Sequence, residues 1–509
     1  MSRFQRKLIA LDSGLGDGNR KQKAALRERS STQVSVQEAC KKRTRTWGTW
    51  LEPCILAGVR MLSVDLKIKM EITHKSEKVV PGKSVKFASW LEHPPVSHIF
   101  VIVLLIAATV HFGAFTLSRR EYVEILGRQY ESRNIAISLA KTGNFADPFS
   151  VPTGKTAHLE PIPPFLTSLI YRIWGITDRA EFVHGILCAV FSTLTCGLTV
   201  LFGIEVGLNR FTSLCGGMIA ALAPNGLQLR SDLTELNGAL GTALFVSALL
   251  VMLRARRYGA SQLLPIVSGV LSGLTILTWN SLLAPLAALM VCAAVPVRRN
   301  PLRLPLSSVL VMSLCASLVV LPWSLRNLHV FHQWVTVRSN LGLEFRLAQN
   351  DFSQGGFSTI HPAGSPETRE LMRRVGEPAA YAALGRDGLR WVRVHPVEFA
   401  KRVLKRMVAF WIPRGPSLRY ALSFAIAFAA LCGFLLLIMQ KHPAALVVGI
   451  VWLTFPAVYY LVRPHPRYQQ PIAFSMYLMA SVPISFVFDR HLYTNGRASN
   501  VDGTLCKEW

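Results

Sequence analysis

The chain has 509 residues, 51% of them hydrophobic, and a formal net charge of +27. The apolar residues come in long blocks, which excludes an ordinary soluble domain. Much of the charge falls between those blocks, where it reflects topology and anionic lipid rather than nucleic-acid binding.

Residues 1–96 contain no long apolar run, and Lys and Arg outnumber the acids there. The densest stretch is "KKRTRTW" at 41–47. This segment is expected to be a solvated, disordered cytoplasmic tail without a signal peptide, since no adequate apolar region follows the first charges. Met61 and Met70 are alternative starts.

Apolar runs then follow at 97–117, 181–203, 210–227, 236–253, 262–279, 281–297, 304–323, 418–439, 443–462 and 470–488. About 20 such residues cross a bilayer as a helix. Only helices or closed barrels satisfy the backbone in lipid, and the alternation of a barrel strand is absent. The runs therefore predict an all-α polytopic membrane protein of about ten transmembrane helices. Its membrane domain spans 97–488, and 489–509 form a cytoplasmic C-terminal tail. Six of the nine cysteines fall in this region (Cys188, Cys196, Cys215, Cys292, Cys315, Cys432) with no CxxC pair. They read as small apolar residues, not a metal site or disulfide framework.

A basic tail before the first span places the N-terminus inside. Alternating from there puts "RARRYGAS" (254–261), "VRRNPLR" (297–303) and "MQKH" (439–442) inside. The long loops 118–180 and 324–417 fall outside. In the first, Glu131, Ile135 and Leu139 share a helical face with Ala136 and Ala140 beside it, and Gly143 stops the helix. "PPFLTSLIYRIWG" (163–175) predicts a second, interfacial amphipathic helix with Phe165, Leu166, Leu169, Ile170, Ile173 and Trp174 on its apolar face. The second long loop is expected to be mostly helical. It ends in "HPVEFAKRVLKRMVAFW" (395–411), where Pro396 suits a first helical turn and basic residues alternate with an apolar stripe.

This topology gathers several polar groups on one side: Glu131, then Asp232 and Glu235 at the next outer turn. Arg326 and Asn327 follow the seventh span, and "RPHPRYQ" (463–469) joins the last two. An acid on an otherwise apolar face needs a partner or a polar cavity. Glu131 is thus either a base for an acceptor hydroxyl or an acid favoured by the helix dipole. Arg326 and Arg467 are phosphate ligands or interfacial anchors. Asp232 and Glu235 orient an acceptor, bind a metal, or simply open the fourth span. His465 and Tyr468 add donors. His111, inside the first span, reads as a packed histidine.

"YESRNIAISLAKTGNFADPFSVPTGKTAHLEPIPPFLTSLIYRIWG" (130–175) resembles the first outer loop of GT-C membrane glycosyltransferases. The branch is that of dolichyl-phosphate-mannose–protein mannosyltransferases and bacterial aminoarabinose transferases. "LSGLTILTWNSLLAP" (271–285), "LPWSLRNLHVFHQWVTVRSNLGLEF" (321–345) and "RPHPRYQQPIAF" (463–474) are similar to later segments of that family. The resemblance covers about 97–488. It implies inverting transfer of a hexosyl or pentosyl group from a polyprenyl-phosphate donor. The acceptor would be a glycan, lipid or protein on the outer face of the membrane, with the bacterial inner membrane as the expected location.

Glu131 then matches the family's first-loop acid, although Tyr130 stands where the family often has an Asp-Glu pair. Arg326 and Asn327 match its Arg-Asn, and Arg467 and Tyr468 its Arg-Tyr. Asp232 and Glu235 lie near a second acid. The catalytic candidates are Glu131, Asp232 and Glu235. The substrate and phosphate candidates are Tyr130, Arg326, Asn327, His465, Arg467 and Tyr468. No cofactor is required, a divalent metal is possible, and membrane lipid rather than nucleic acid is the other partner. A secondary transporter, a scaffold, and an oligosaccharide ligase or polymerase are the competing readings. A transporter would show repeats and mid-membrane charges, which this sequence lacks.

Overall fold

The computed structural model describes residues 95–117, 131–149, 151–223, 235–257, 261–296, 300, 302–351, 365–412 and 418–494. Both expected tails, apart from their membrane-proximal residues, and the candidates Tyr130 and Asp232 lie outside these residues. The protein is an all-α polytopic membrane protein, and the described parts of the apolar runs are helical, the run at 443–462 as two helices.

In chain order, α1 (Val96–Leu117) is followed by two short helices, α2 (Glu131–Thr142) and α3 (Ile162–Trp174). Next come α4 (Asp178–Glu205), α5 (Arg210–Leu222), α6 (Leu236–Arg257), α7 (Leu263–Thr278), α8 (Leu283–Ala294) and α9 (Leu306–Phe331). The second long loop contributes α10 (Leu341–Ala348), α11 (Pro366–Val375), α12 (Glu377–Val394) and α13 (Pro396–Trp411). The chain returns through α14 (Leu418–Met439), α15 (Pro443–Thr454), α16 (Ala457–Leu461) and α17 (Gln470–Thr494).

Among the described residues, seven helical segments are long and apolar enough to cross a membrane. The helices α5, α7 and α8 are shorter. Between α7 and α8 the backbone turns at Trp279, which is extended, and then through a 3-10 turn at Asn280–Leu282. The seventh run also differs from its sequence boundaries. Pro322 sits inside α9 without ending it, and the helix continues to Phe331, stopped by His332 in the left-handed region. Arg326 and Asn327 therefore ride on the last turns of a spanning helix instead of following it.

The spanning helices pack as α1, α5 and α17 around α4, with α6, α7 and α9 in succession and α14 against α17. Water gives no drive for helices to associate in lipid, so close backbone approach must supply it. Glycines do this. A Cβ at Gly269 or Gly273 would collide with the α9 backbone at Met312 or Ala316, and one at Gly433 with the Met479 carbonyl. The lipid face is equally legible on α9, where Leu306, Leu310, Leu314, Leu318, Leu321, Leu325 and Leu328 form an exposed stripe at helical spacing.

The two ends of the bundle differ. At one, Arg254 and Arg257 approach Glu205 at 3.6 and 3.5 Å, and His442 meets the Gly207 carbonyl at 3.2 Å. Arg254, Arg257 and His442 come from two of the short basic stretches of the sequence. At the other, the two long loops join. Arg338 bonds Glu160, and the Ser339 amide donates to the Ala157 carbonyl.

The interfacial helices carry their polarity in an order that water alone would not favour. On α3, Phe165, Leu169 and Ile173 point outward, whereas Thr167, Ser168, Ile170 and Tyr171 are buried. The expected apolar face is thus split between lipid and protein. On α13 the buried side holds Arg402, Arg406 and Phe410, and the exposed side holds Val397, Leu404, Met407 and Val408. Arg402 donates to the Asn350 carbonyl and Arg406 to those of Ala348 and Leu461. Lys401 and Lys405 are exposed on the same helix. An outward apolar face edged by lysines is the pattern of a helix lying at a bilayer surface.

Candidate active site

The site is built where the first long loop crosses the second. After α2, Gly143 takes φ 73°, and the chain doubles back through a short antiparallel turn pairing Ala146 with Lys155. The Asp147 carboxylate accepts from the Thr153 and Gly154 amides at 2.8 Å and fixes the turn. The returning segment, Thr156–Glu160, is almost wholly buried and strongly polar. Buried polar groups require partners, and here the second loop supplies them.

Glu377 opens α12 and is buried. Its carboxylate accepts from the Thr156 hydroxyl, the Ala157 amide at 2.8 Å and the Ser339 hydroxyl at 2.7 Å. Glu160 accepts from Arg338 at 3.0 Å and from the Asn280 amide at 2.9 Å, tying the loop to the α7–α8 turn. These two carboxylates staple the loops together.

Glu131 begins α2, with its side chain 46% exposed. One carboxylate oxygen lies 3.4 Å from Nε2 of His158, whose side chain is only 1% exposed. Partial burial would raise the carboxyl pKa. His158 and then Arg338 and Arg467 outweigh it and draw it down to about 2. Burial works against charge on His158 too, but Glu131 and more weakly Glu377 raise its pKa above 6.5. Glu131 is therefore a carboxylate near neutrality, and its charge favours the protonated form of His158.

Arg467 belongs to the same cluster. It lies in a 3-10 turn, Pro466–Gln469, and pairs with Glu235 just before α6. Its guanidinium sits 5.2 Å from the Tyr468 ring centroid, and its buried Nε has no hydrogen-bond partner among the described residues. Tyr468 stacks on Tyr459 at 4.5 Å, and the Tyr459 hydroxyl accepts from the Trp279 indole at 2.9 Å. His465 caps the turn, its Nδ1 accepting from the Arg467 amide at 3.3 Å. Burial, with Arg467 and Arg463 nearby, lowers the His465 pKa to about 4 and keeps it neutral.

Arg326 stands apart from this cluster. It donates to the Thr156 carbonyl at 2.8 Å, the Phe145 carbonyl at 3.2 Å and the Asn327 side chain at 2.9 Å. Trp323 and Phe145 flank it at 4.8 and 5.5 Å. It borders a groove of about 510 Å³ lined by Ile162, Phe165, Leu277, Val319, Pro322 and Trp323, with Lys155 and Asn144 among its polar members. Asn327 is fully buried and donates to the Val335 carbonyl at 3.0 Å.

The structure thus brings Glu131, Glu235, Arg467, Tyr468 and His465 to one place and assigns Arg326 and Asn327 to another. His111 bonds Thr193 at 3.2 Å and is a packed histidine. Sequence reasoning gave no role to His158, Glu160, Arg338, Tyr381 or Glu377. The available signal was "HLEP" (158–161), an acid and a histidine inside a segment without helical or strand periodicity. No group of three His, Cys, Asp or Glu among the described residues is arranged to hold a metal.

No family model and no curated protein matches the chain. Solved structures do. The oligosaccharyltransferase AglB of Archaeoglobus fulgidus, in complex with an inhibitory peptide and a dolichol-phosphate, matches at a TM-score of 0.50 and 17% identity. That match covers 81% of this chain and 53% of the archaeal one, so the chain spans about half the length of that structure. Another structure of the archaeal enzyme, with zinc and sulfate, gives a TM-score of 0.49 at 17% identity, covering 78% and 50% of the two chains. ArnT from Cupriavidus metallidurans gives 0.30 at 14% identity, covering 74% and 78%. In fold, the chain is similar to the archaeal oligosaccharyltransferase.

Proposed function

We propose that the protein transfers a sugar from a polyprenyl-phosphate donor to an acceptor hydroxyl on the outer face of the membrane, with inversion at the anomeric carbon. The observation that carries this reading is the Glu131 carboxylate, half-exposed beside His158 and within the field of Arg338 and Arg467, at the end of a membrane-spanning bundle. The GT-C fold, found also in an enzyme whose structure contains dolichol-phosphate, supports the donor class.

The acceptor oxygen attacks the anomeric carbon and gives its proton to Glu131. The bond from that carbon to the phosphate oxygen breaks, and the lipid phosphate leaves with the electron pair. Arg467 and Arg338, whose charges already act on Glu131, face the growing negative charge as preorganised cations. Tyr468 holds Arg467 from one side and Glu235 from another. Glu235 thereby acts as the counter-ion of Arg467 and not as the base. The groove beside Arg326 accepts part of the prenyl chain along Leu277, Val319 and Pro322. That part of its wall belongs to α7 and α9, so an apolar chain can reach it from the bilayer. The short basic loops at the opposite end favour an outward orientation for this site, periplasmic in a bacterial inner membrane.

The test is transfer of radiolabelled sugar from a panel of polyprenyl-phosphate donors in membranes, comparing wild type with Glu131→Gln at matched expression. Transfer by wild type and its loss in the variant support both the reaction and the base. Equal transfer by both removes Glu131 as the base. No transfer across the panel, with endogenous acceptors present, counts against the enzyme.

A further inference from the structure

His158 has no part in the reaction as described above, yet its buried ring is in contact with Glu131, Tyr381 and Phe149. Its Nε2 faces Glu131 at 3.4 Å and has no other partner among the described residues. Its Nδ1 faces the Tyr381 hydroxyl at 3.2 Å. The rings of Phe149 and Tyr381 stand edge-on to the imidazole at 5.1 and 5.8 Å between centroids. Both His158 and Tyr381 are buried. Such a ring cannot turn without breaking contacts with α12.

The hydrogen-bond inventory then fixes where its protons are. In the neutral ring, the Tyr381 hydroxyl donates to Nδ1, which places the ring proton on Nε2, toward the carboxylate. In the charged ring both nitrogens carry protons, and the tyrosine oxygen accepts. Either way an N–H points at one oxygen of Glu131 and leaves the other for the acceptor. A ring with a bare Nε2 lone pair facing the carboxylate would be repelled.

We propose that His158, clamped by Tyr381, is the positioning residue of Glu131, aiming its carboxylate and keeping it ionised for the acceptor. This rests on the reading of Glu131 as the base. Other charged and titratable groups act on the pair from neighbouring elements. They are Arg338 before α10, Arg463 and Arg467 before α17, and Glu377 and Tyr381 on α12. A histidine that only filled space would leave the protonation of Glu131 unchanged when replaced by glutamine.

The experiment reads that protonation directly, without needing a substrate. The full chain in lipid nanodiscs is treated with a hydrophobic carbodiimide between pH 4 and 8, and the Glu131 peptide is quantified by mass spectrometry. The reagent adds the carboxyl O–H across its C=N bond, so only the protonated acid reacts and nothing leaves. At pH 5 wild-type Glu131 should resist labelling, whereas exposed Glu370 reacts. His158→Gln should label at Glu131 at least tenfold faster, and Tyr381→Phe, which keeps the ring but frees the imidazole, by an intermediate factor. Transfer should fall in kcat with little change in donor KM, and the acid limb of the pH profile should move up toward 4.5.

Equal Glu131 labelling in wild type and both variants, all eluting as the native protein does, would overturn the proposal. Labelling of wild-type Glu131 as fast as Glu370 would do the same. A labelling contrast in a wild type that transfers no sugar from any donor would retain the His158–Glu131 coupling and remove the transferase reading.

Discussion

Arg326 and Arg467 read alike in the sequence: each stands at the outer end of a spanning run, next to a residue that can hydrogen-bond. Their surroundings are opposite. Arg326 spends its donors on two backbone carbonyls and a neighbouring amide, with aromatic rings at its faces. Arg467 pairs with one carboxylate, keeps an unpartnered Nε, and acts on Glu131 through its field. A guanidinium whose hydrogens are committed to carbonyls holds a loop; one paired to a carboxylate beside a reactive acid can turn its charge toward a leaving group. The distinction lies in the partners, not in the arginine.

The largest effect belongs to Glu131→Gln, which should lower kcat by roughly 10²–10⁴-fold, the range of a general base, with no change in elution profile. A loss of similar size in Glu235→Gln with Glu131→Gln unaffected would exchange their roles.

Next comes a matched pair. Arg467→Lys should cost about 100-fold in transfer, because a lysine cannot reproduce the forked donors. Arg326→Lys should instead lower thermal stability, with kcat within a few-fold of wild type. If thermal melts are equal and Arg326→Lys shows the greater loss of kcat, the phosphate belongs beside Arg326.

Smaller again is the groove. Val319→Trp should raise the KM of long-chain donors about tenfold, an effect of roughly 1.4 kcal/mol, and leave a short-chain donor analogue unaffected. An equal effect on both would detach the groove from the prenyl chain.

The smallest effect is on stability against pH. The Glu131 carboxyl, lowered to about 2, contributes fully above 4.5 and loses this as pH falls through about 2. The His158 imidazole, raised above 6.5, contributes fully below 6.5 and loses this as pH rises through its raised value. Their joint contribution is therefore complete between pH 4.5 and 6.5. Melting temperature of wild type minus that of His158→Gln should be greatest in that window and shrink above it.

Most of the membrane bundle was legible because hydropathy acts over about 20 residues at a time. The expected helix at 262–279 corresponds to α7, the described part of that at 210–227 contains α5, and the stop at Gly143 holds because that glycine has a positive φ. Boundaries failed where hydropathy changes but the helix need not, as in α9 beyond Trp323. The site was legible only in part. Glu131, Glu235 and Arg467 each break an apolar context and so attract notice. His158, Arg338, Tyr381 and Glu377 sit in polar loops where such residues are ordinary. Only the crossing of two loops separated by some 200 residues makes them partners, as Glu377 bonding Thr156 shows. Nothing in either segment alone encodes that meeting.

The helix α13 has a consequence for how this molecule can be handled. Its guanidinium groups form the interior and its aliphatic side chains the exterior. The second long loop is thus no water-soluble head that a membrane anchor happens to carry. Cut free, residues 332–412 would turn Val397, Leu404 and Val408 to water, while Arg406 would lose the Leu461 carbonyl outside the fragment. The lipid surface is one wall of this loop's architecture, and detergent must replace that wall before any measurement on the site begins.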